Sequence, residues 1–77
     1  MTIENSDLDQ MQEAYNVAVD RWISAIREEE SLASVDHSEA DINAWEAAGF
    51  REEDARAKAK QSKKDYEAAL RTKFFNI

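Results

Sequence analysis

Apolar residues recur at steps of three and four positions along two long stretches of the chain. In the first stretch these residues are Leu8, Met11, Tyr15, Val19, Trp22 and Ile26. Such steps place side chains on one face of an α-helix. The pattern therefore predicts a first helix over about residues 6–34, roughly 43 Å long at 1.5 Å per residue.

The start of this first helix is predicted from the letters "SDLD". Ser6 followed three residues later by Asp9 is a capping-box pattern, in which each side chain satisfies a free backbone N–H group of the other residue. The charges of Asp7 and Asp9 also suit the positive end of the helix dipole. We therefore expect Ser6 to be the N-cap.

A second, short helix is predicted over about residues 39–48. Ser38 opens it with another capping-box pattern, and Gly49 would end it because glycine adopts the left-handed conformation of a helix C-terminus without a Cβ clash. Phe50 would then fold back onto Trp45. The segment "WEAAGF" is thus interpreted as a helix stop closed by a hydrophobic clasp.

A third helix is predicted over about residues 51–75, which contain no proline and no glycine. Its apolar stripe begins with small residues and ends with bulky ones, in the order Ala55, Ala59, Ser62, Tyr66, Ala69, Leu70 and Phe74. Small residues allow another helix to approach closely. The predicted fold is therefore all-α, a single domain over residues 1–77. It is an antiparallel hairpin of two long helices with a short capping helix between them.

One hairpin offers too little surface to cover the wide apolar stripe of the first helix. The usual solution is a twofold dimer that forms a four-helix bundle. The sequence therefore predicts a homodimer and leaves open a further, unidentified protein partner. The candidate interface residues are Tyr15, Val19, Trp22, Ile23, Ile26, Phe74 and Phe75.

Charge narrows the choice of partners. The net charge is −7, with −10 in residues 1–50 and +3 in residues 51–77. An acidic protein repels nucleic acid and anionic membranes, so we expect neither as a partner. The chain has no cysteine, and its longest apolar runs are too short to span a bilayer. These features predict a cytoplasmic protein.

The sequence offers little for catalysis or metal binding. One histidine and no cysteine leave few pairs of nucleophile and base, so we expect no enzyme. The segment "DHSEAD" at positions 36–41 is the best metal candidate, but a polar turn and a helix cap explain the same letters. We predict no catalytic residue, no metal site and no cofactor.

The second half of the chain resembles a ubiquitin-associated domain, a compact module of three helices. "WEAAGF" is similar to the binding loop of that family, "EEDARAKA" to its second helix and "DYEAAL" to its third. The resemblance covers residues 42–77, and Ala48 stands where the family's loop has methionine. It implies a peptide- or ubiquitin-like-binding surface that includes Gly49 and Phe50.

Three functions thus remain open from the sequence. The first is a non-enzymatic interaction or structural protein that self-associates through a helical surface. The second is a helical bundle that binds a ligand or a metal. The third is a ubiquitin-associated-like recognition module in residues 38–77.

Overall fold

The computed structural model describes residues 3–33 and 37–75, nearly all of which form two helices. Helix α1 spans Asn5–Ala33 and helix α2 spans Glu39–Phe75. They pack against each other along their length as an antiparallel hairpin that measures 55 × 18 × 14 Å. The radius of gyration is 17.3 Å, whereas a compact domain of this length has about 11–12 Å. The fold is therefore a rod, and the all-α hairpin expected from the sequence is confirmed.

The contact between the helices follows a seven-residue repeat, which we call the seam. On α1 the seam consists of Leu8, Met11, Tyr15, Ala18, Trp22, Ala25, Glu29 and Leu32, all buried or half-buried. On α2 it consists of Ala48, Glu52, Ala55, Ala59, Ser62, Tyr66, Ala69 and Lys73, again all buried or half-buried. Alternating steps of three and four residues are the repeat of a coiled coil. The two helices therefore meet along one narrow stripe each.

The seam combines large side chains of α1 with small side chains of α2. Trp22, Tyr15 and Met11 contribute bulk from α1, while most seam positions of α2 are alanine or serine. Small residues allow the backbones to approach, and the large residues fill the remaining space. The close approach leaves a thin core, because no large side chain among the described residues is fully buried.

The N-cap of α2 is the residue that the sequence predicts, whereas the N-cap of α1 is not. The Ser38 hydroxyl accepts a hydrogen bond from the Asp41 backbone N–H at 3.2 Å, so Ser38 caps α2 as predicted. At α1, however, the Glu4 carbonyl accepts the first helical bonds, and the Asp7 carboxylate accepts from the Glu4 N–H at 3.2 Å. Ser6 is therefore inside the helix, and the cap lies two residues earlier than expected.

The predicted break at Gly49 is wrong. Helix α2 runs without interruption through Gly49, so the separate short helix and the helix beginning at residue 51 are one element. Trp45 and Phe50 are both exposed, at 46% and 70%, and they form no clasp at a helix end. One glycine inside a helix costs about 1 kcal/mol relative to alanine. Seam packing by Ala48 and Glu52 on either side outweighs that cost.

The same continuous helix excludes the three-helix fold implied by the resemblance to ubiquitin-associated domains. That fold needs two turns between residues 42 and 75, and α2 contains none there. The binding loop expected at Gly49 and Phe50 is ordinary helix. The resemblance therefore does not extend to the fold of these residues, and the recognition function that it implies stays a prediction.

Continuity at Gly49 makes a direct prediction about stability. A Cβ atom built at Gly49 meets nothing within 4 Å. Gly49→Ala should therefore raise the free energy of unfolding by about 0.5–1 kcal/mol, because alanine has less backbone entropy to lose. Urea denaturation measures this, and Ala47→Gly at an exposed position of the same helix is the matched control, with the opposite sign. A loss of stability in Gly49→Ala would mean that the helix is broken there.

Candidate interaction surface

The seam divides the long surface of the hairpin into two sides that differ in chemistry. One side, which we call the charged side, is an open groove of about 930 Å³ with small residues at its floor. Its edges carry charges of both signs, namely Asp20, Arg21, Glu28, Arg51, Asp54 and Lys58. Glu28 and Arg51 form a salt bridge between the helices. Lys58 and Asp54 form a second salt bridge at 3.1 Å, so this side is a solvated surface on which four of the six charges pair within the chain.

The other side, which we call the apolar side, consists of Val19, Ile23 and Ile26 on α1 and Ile42 and Trp45 on α2. Ile23 and Ile26 are 42% and 41% exposed, and Ile42 is 53% exposed. Ile26 and Trp45 line the same shallow groove near the end where the helices are connected. Large apolar side chains that share one surface mark an interaction site more often than isolated ones do. The apolar side is therefore the candidate interface.

A half-buried polar cluster lies beneath the apolar side. The Trp22 indole Nε1–H donates a hydrogen bond to Glu52 Oε1 at 2.7 Å, and the Arg56 guanidinium donates to Glu52 Oε2 at 3.2 Å. The Glu52 side chain is only 15% exposed. Arg56 lies on the same helix as Glu52, so of these two bonds only the one from Trp22 depends on the register of the helices. Sliding one helix by a turn would leave the indole N–H without this acceptor, at a cost of about 1–3 kcal/mol.

The ends of the hairpin confirm this register independently. At the open end, Lys73 Nζ donates to Asn5 Oδ1 at 2.5 Å. Nearer the connection, Arg51 pairs with Glu28. Each residue of α1 is therefore level with a defined residue of α2, and Ile23 lies level with the segment around Glu53 and Asp54.

The structure separates the candidate interface residues into three groups. Tyr15 and Trp22 are half-buried in the seam, so they contact the other helix of the same chain. Val19, Ile23 and Ile26 lie together on the apolar side. Phe74 and Phe75 are 64% and 70% exposed in the last turn of α2. The predicted set thus contains one continuous surface, made by its three aliphatic members on α1.

Two residues of this surface were missed by the sequence analysis. The sequence predicts Ile42 and Trp45 in a separate short helix, whereas the continuous α2 places Trp45 in the same groove as Ile26, and Ile42 lies three residues before Trp45 on α2. Glu52 was also missed as a structural residue. The signal that identifies it is its position: a carboxylate that falls on an apolar seven-residue repeat requires a buried partner.

Phe50 does not belong to the apolar side. It is 70% exposed on the face of α2 that points away from α1, where its helical neighbours are polar or small. Single apolar residues on a surface are common and need no partner.

Within residues 3–33 and 37–75, no group of three or more histidine or acidic side chains is arranged to hold a metal ion. Asp36, which belongs to the segment "DHSEAD", lies outside the described residues. Neither described helix has an apolar stretch long enough to cross a membrane.

Comparison with models of protein families, with curated proteins and with solved structures finds no match for this chain. The argument for its function therefore depends on the hairpin itself.

The cluster around Glu52 predicts that this half-buried carboxylate contributes more to stability than an exposed carboxylate does. Glu52→Ala should lower the free energy of unfolding by about 1–3 kcal/mol, because the indole N–H of Trp22 loses its acceptor. Glu13→Ala, at an exposed position of α1, is the matched control and should change it by less than about 0.5 kcal/mol. Chemical denaturation measures both. Equal, small effects would show that the cluster does not stabilise the register.

Proposed function

We propose that this protein is a non-enzymatic interaction or structural protein that acts by self-association. Two hairpins pair through their apolar sides to form a four-helix bundle. The bundle is the working unit, and any further protein partner binds to the dimer rather than to a single hairpin. The absence of cysteine from the chain is compatible with a reducing cytoplasm, where such a dimer needs no disulfide.

The observation that supports this proposal is the imbalance between buried and exposed apolar residues. Among the described residues, the buried apolar residues are Leu8, Ala48, Ala59 and Ala69, of which three are alanine. The large apolar residues that are exposed in the same part of the chain are Val17, Ile23, Ile26, Ile42, Trp45, Phe50, Phe74 and Phe75. A chain below about 80 residues rarely gains enough stability from one small core. A second hairpin would supply the missing core.

A twofold dimer fits the surface better than an open assembly. The apolar side lies on one face of the rod and is bordered by charges, so one partner covers it completely. A closed twofold pair uses the same patch on both chains and leaves none of the apolar side for a third copy. The charged side then stays in water on the outside of the bundle.

The proposal predicts that a charge on the apolar side separates the dimer and that the same charge on the charged side does not. Ile23→Glu would bury a carboxylate without a partner, which is severely unfavourable. Val17→Glu is the matched control, because Val17 is β-branched, lies on the same helix and is 37% exposed against 42% for Ile23. Val17 lines the groove of the charged side.

Sedimentation velocity at micromolar concentration tests this. The wild type and Val17→Glu should sediment at twice the chain mass of 8.8 kDa, whereas Ile23→Glu should sediment at the chain mass or unfold. Circular dichroism of the same samples distinguishes dissociation from unfolding. A wild type that remains a folded monomer at high micromolar concentration would refute self-association.

A further inference from the structure

We infer that the second copy lies on the apolar side in the antiparallel orientation, with α1 against α1 and α2 against α2. The twofold axis crosses the bundle at the level of Ile23. This inference rests on the proposed self-association and adds the orientation and the residue pairs of the interface. It follows from the order of apolar and charged residues along the two helices of one hairpin.

The apolar residues of α1 form a set that matches itself when reversed. Val19, Ile23 and Ile26 are separated by steps of four and three residues. When a second α1 is laid antiparallel with Ile23 at the axis, Ile23 meets Ile23 of the second copy, and Val19 meets Ile26 of the second copy. Six aliphatic side chains then share one cluster at the centre of the bundle. Outside it, Glu30 lies level with Asn16 of the second copy, which carries no charge.

The charged residues that border the apolar side on α2 match in the same orientation. In chain order they are Glu46, Glu53, Arg56, Lys60, Lys63 and Glu67, so two acids are followed by three bases and by a last acid that pairs with Lys63 of the same helix at 3.9 Å. Ile23 of α1 lies level with the point on α2 that is between Glu53 and Arg56. Reversal about that level brings Glu46 opposite Lys63 of the second copy and Glu53 opposite Arg56 of the second copy. Each pair occurs twice, so the dimer gains four attractive contacts between opposite charges.

The other closed arrangement has both connecting segments at the same end of the bundle. It lays α1 of one copy on α2 of the second copy. Glu30 would then lie level with Glu46 of the second copy, and Ile23 and Ile26 would lie level with Glu53 of the second copy. Like charges would face each other at Glu30 and Glu46, and the aliphatic residues at the centre of the apolar side would face carboxylates, whereas the antiparallel arrangement has such a contact only at its ends, between Glu67 and Ile42 of the second copy. Charge complementarity therefore selects the antiparallel arrangement.

A charge exchange at positions 46 and 63 tests the predicted pair. Glu46→Lys should raise the dissociation constant of the dimer about tenfold, since two symmetric ion pairs become repulsive and each is worth a few-fold in affinity. Lys63→Glu should weaken it similarly, and the double variant should restore an affinity close to wild type. Sedimentation equilibrium at low salt measures these constants. Glu13→Lys, on the outer face of α1, has the same change of charge and should leave the affinity near that of the wild type.

A distance measurement tests the orientation without changing the interface. Arg71 is exposed near the open end, and a cysteine there would be the only one in the chain. Residue 71 lies about 17 residues from the twofold axis. At 1.5 Å per residue, spin labels on the two Arg71→Cys chains of the antiparallel dimer should therefore be about 50 Å apart. If the connecting segments of both copies lie at the same end of the bundle, the two labels lie at the same level. Their separation across the bundle should then be about 30 Å, because neighbouring helices are about 10 Å apart.

The outcomes separate this inference from the proposed function. A monomeric wild type would overturn both. A dimer whose Arg71→Cys labels lie about 30 Å apart, or whose affinity rises in Glu46→Lys, would overturn the antiparallel arrangement and leave self-association intact. A label distance of about 50 Å together with recovery in the double variant would support the inference.

Discussion

Close contact between one large-residue stripe and one small-residue stripe is the constraint on which this molecule depends. Because α2 presents mostly alanine and serine at the seam, its backbone approaches the bulky residues of α1 along the whole rod. A narrow seam can hold only two positions of every seven on each helix. Ala18 and Ala25 hold seam positions of α1, so Val19 and Ile26 lie at the edge and Ile23 lies outside it. The apolar side is thus a direct consequence of how the seam packs.

The seam alone specifies its register poorly, because many of its α2 positions are the same small residue. Alanine at several levels would allow the helices to slide by one repeat with little loss of contact. Glu52 removes this freedom, since its carboxylate accepts a hydrogen bond from Trp22 on α1, while Arg56 on its own helix binds the other carboxylate oxygen. A polar residue at a seam position is a known way to fix register in coiled coils at some cost in stability. In this chain the fixed register also determines which residues lie side by side on the apolar side.

Structural features that depend on neighbouring residues could be predicted from the sequence. Features that depend on contacts between distant residues could not. Ser38 caps α2 as expected because a cap needs only its own turn of helix. Gly49 is predicted to end a helix because it is the only glycine, but contacts made by α1 keep the helix continuous there.

The predicted stripe of α2 extends to Phe74, whereas Lys73 holds the seam position and Phe74 is exposed. The bond between Trp22 and Glu52 spans 30 residues and has no local signature. The interface residues Ile23 and Ile26 were named from the breadth of the stripe, and their use by a partner remains a proposal.

The central claim is that a single hairpin lacks a sufficient core and that folding is coupled to association. The dependence of the melting temperature on protein concentration tests this most directly. A dimer that unfolds to separate chains should lose roughly 5 °C in melting temperature for each tenfold dilution, given the unfolding enthalpy expected for about 150 residues. Circular dichroism over a hundredfold range of concentration measures it. A melting temperature that does not change over that range would show that the hairpin is stable by itself and would contradict the account.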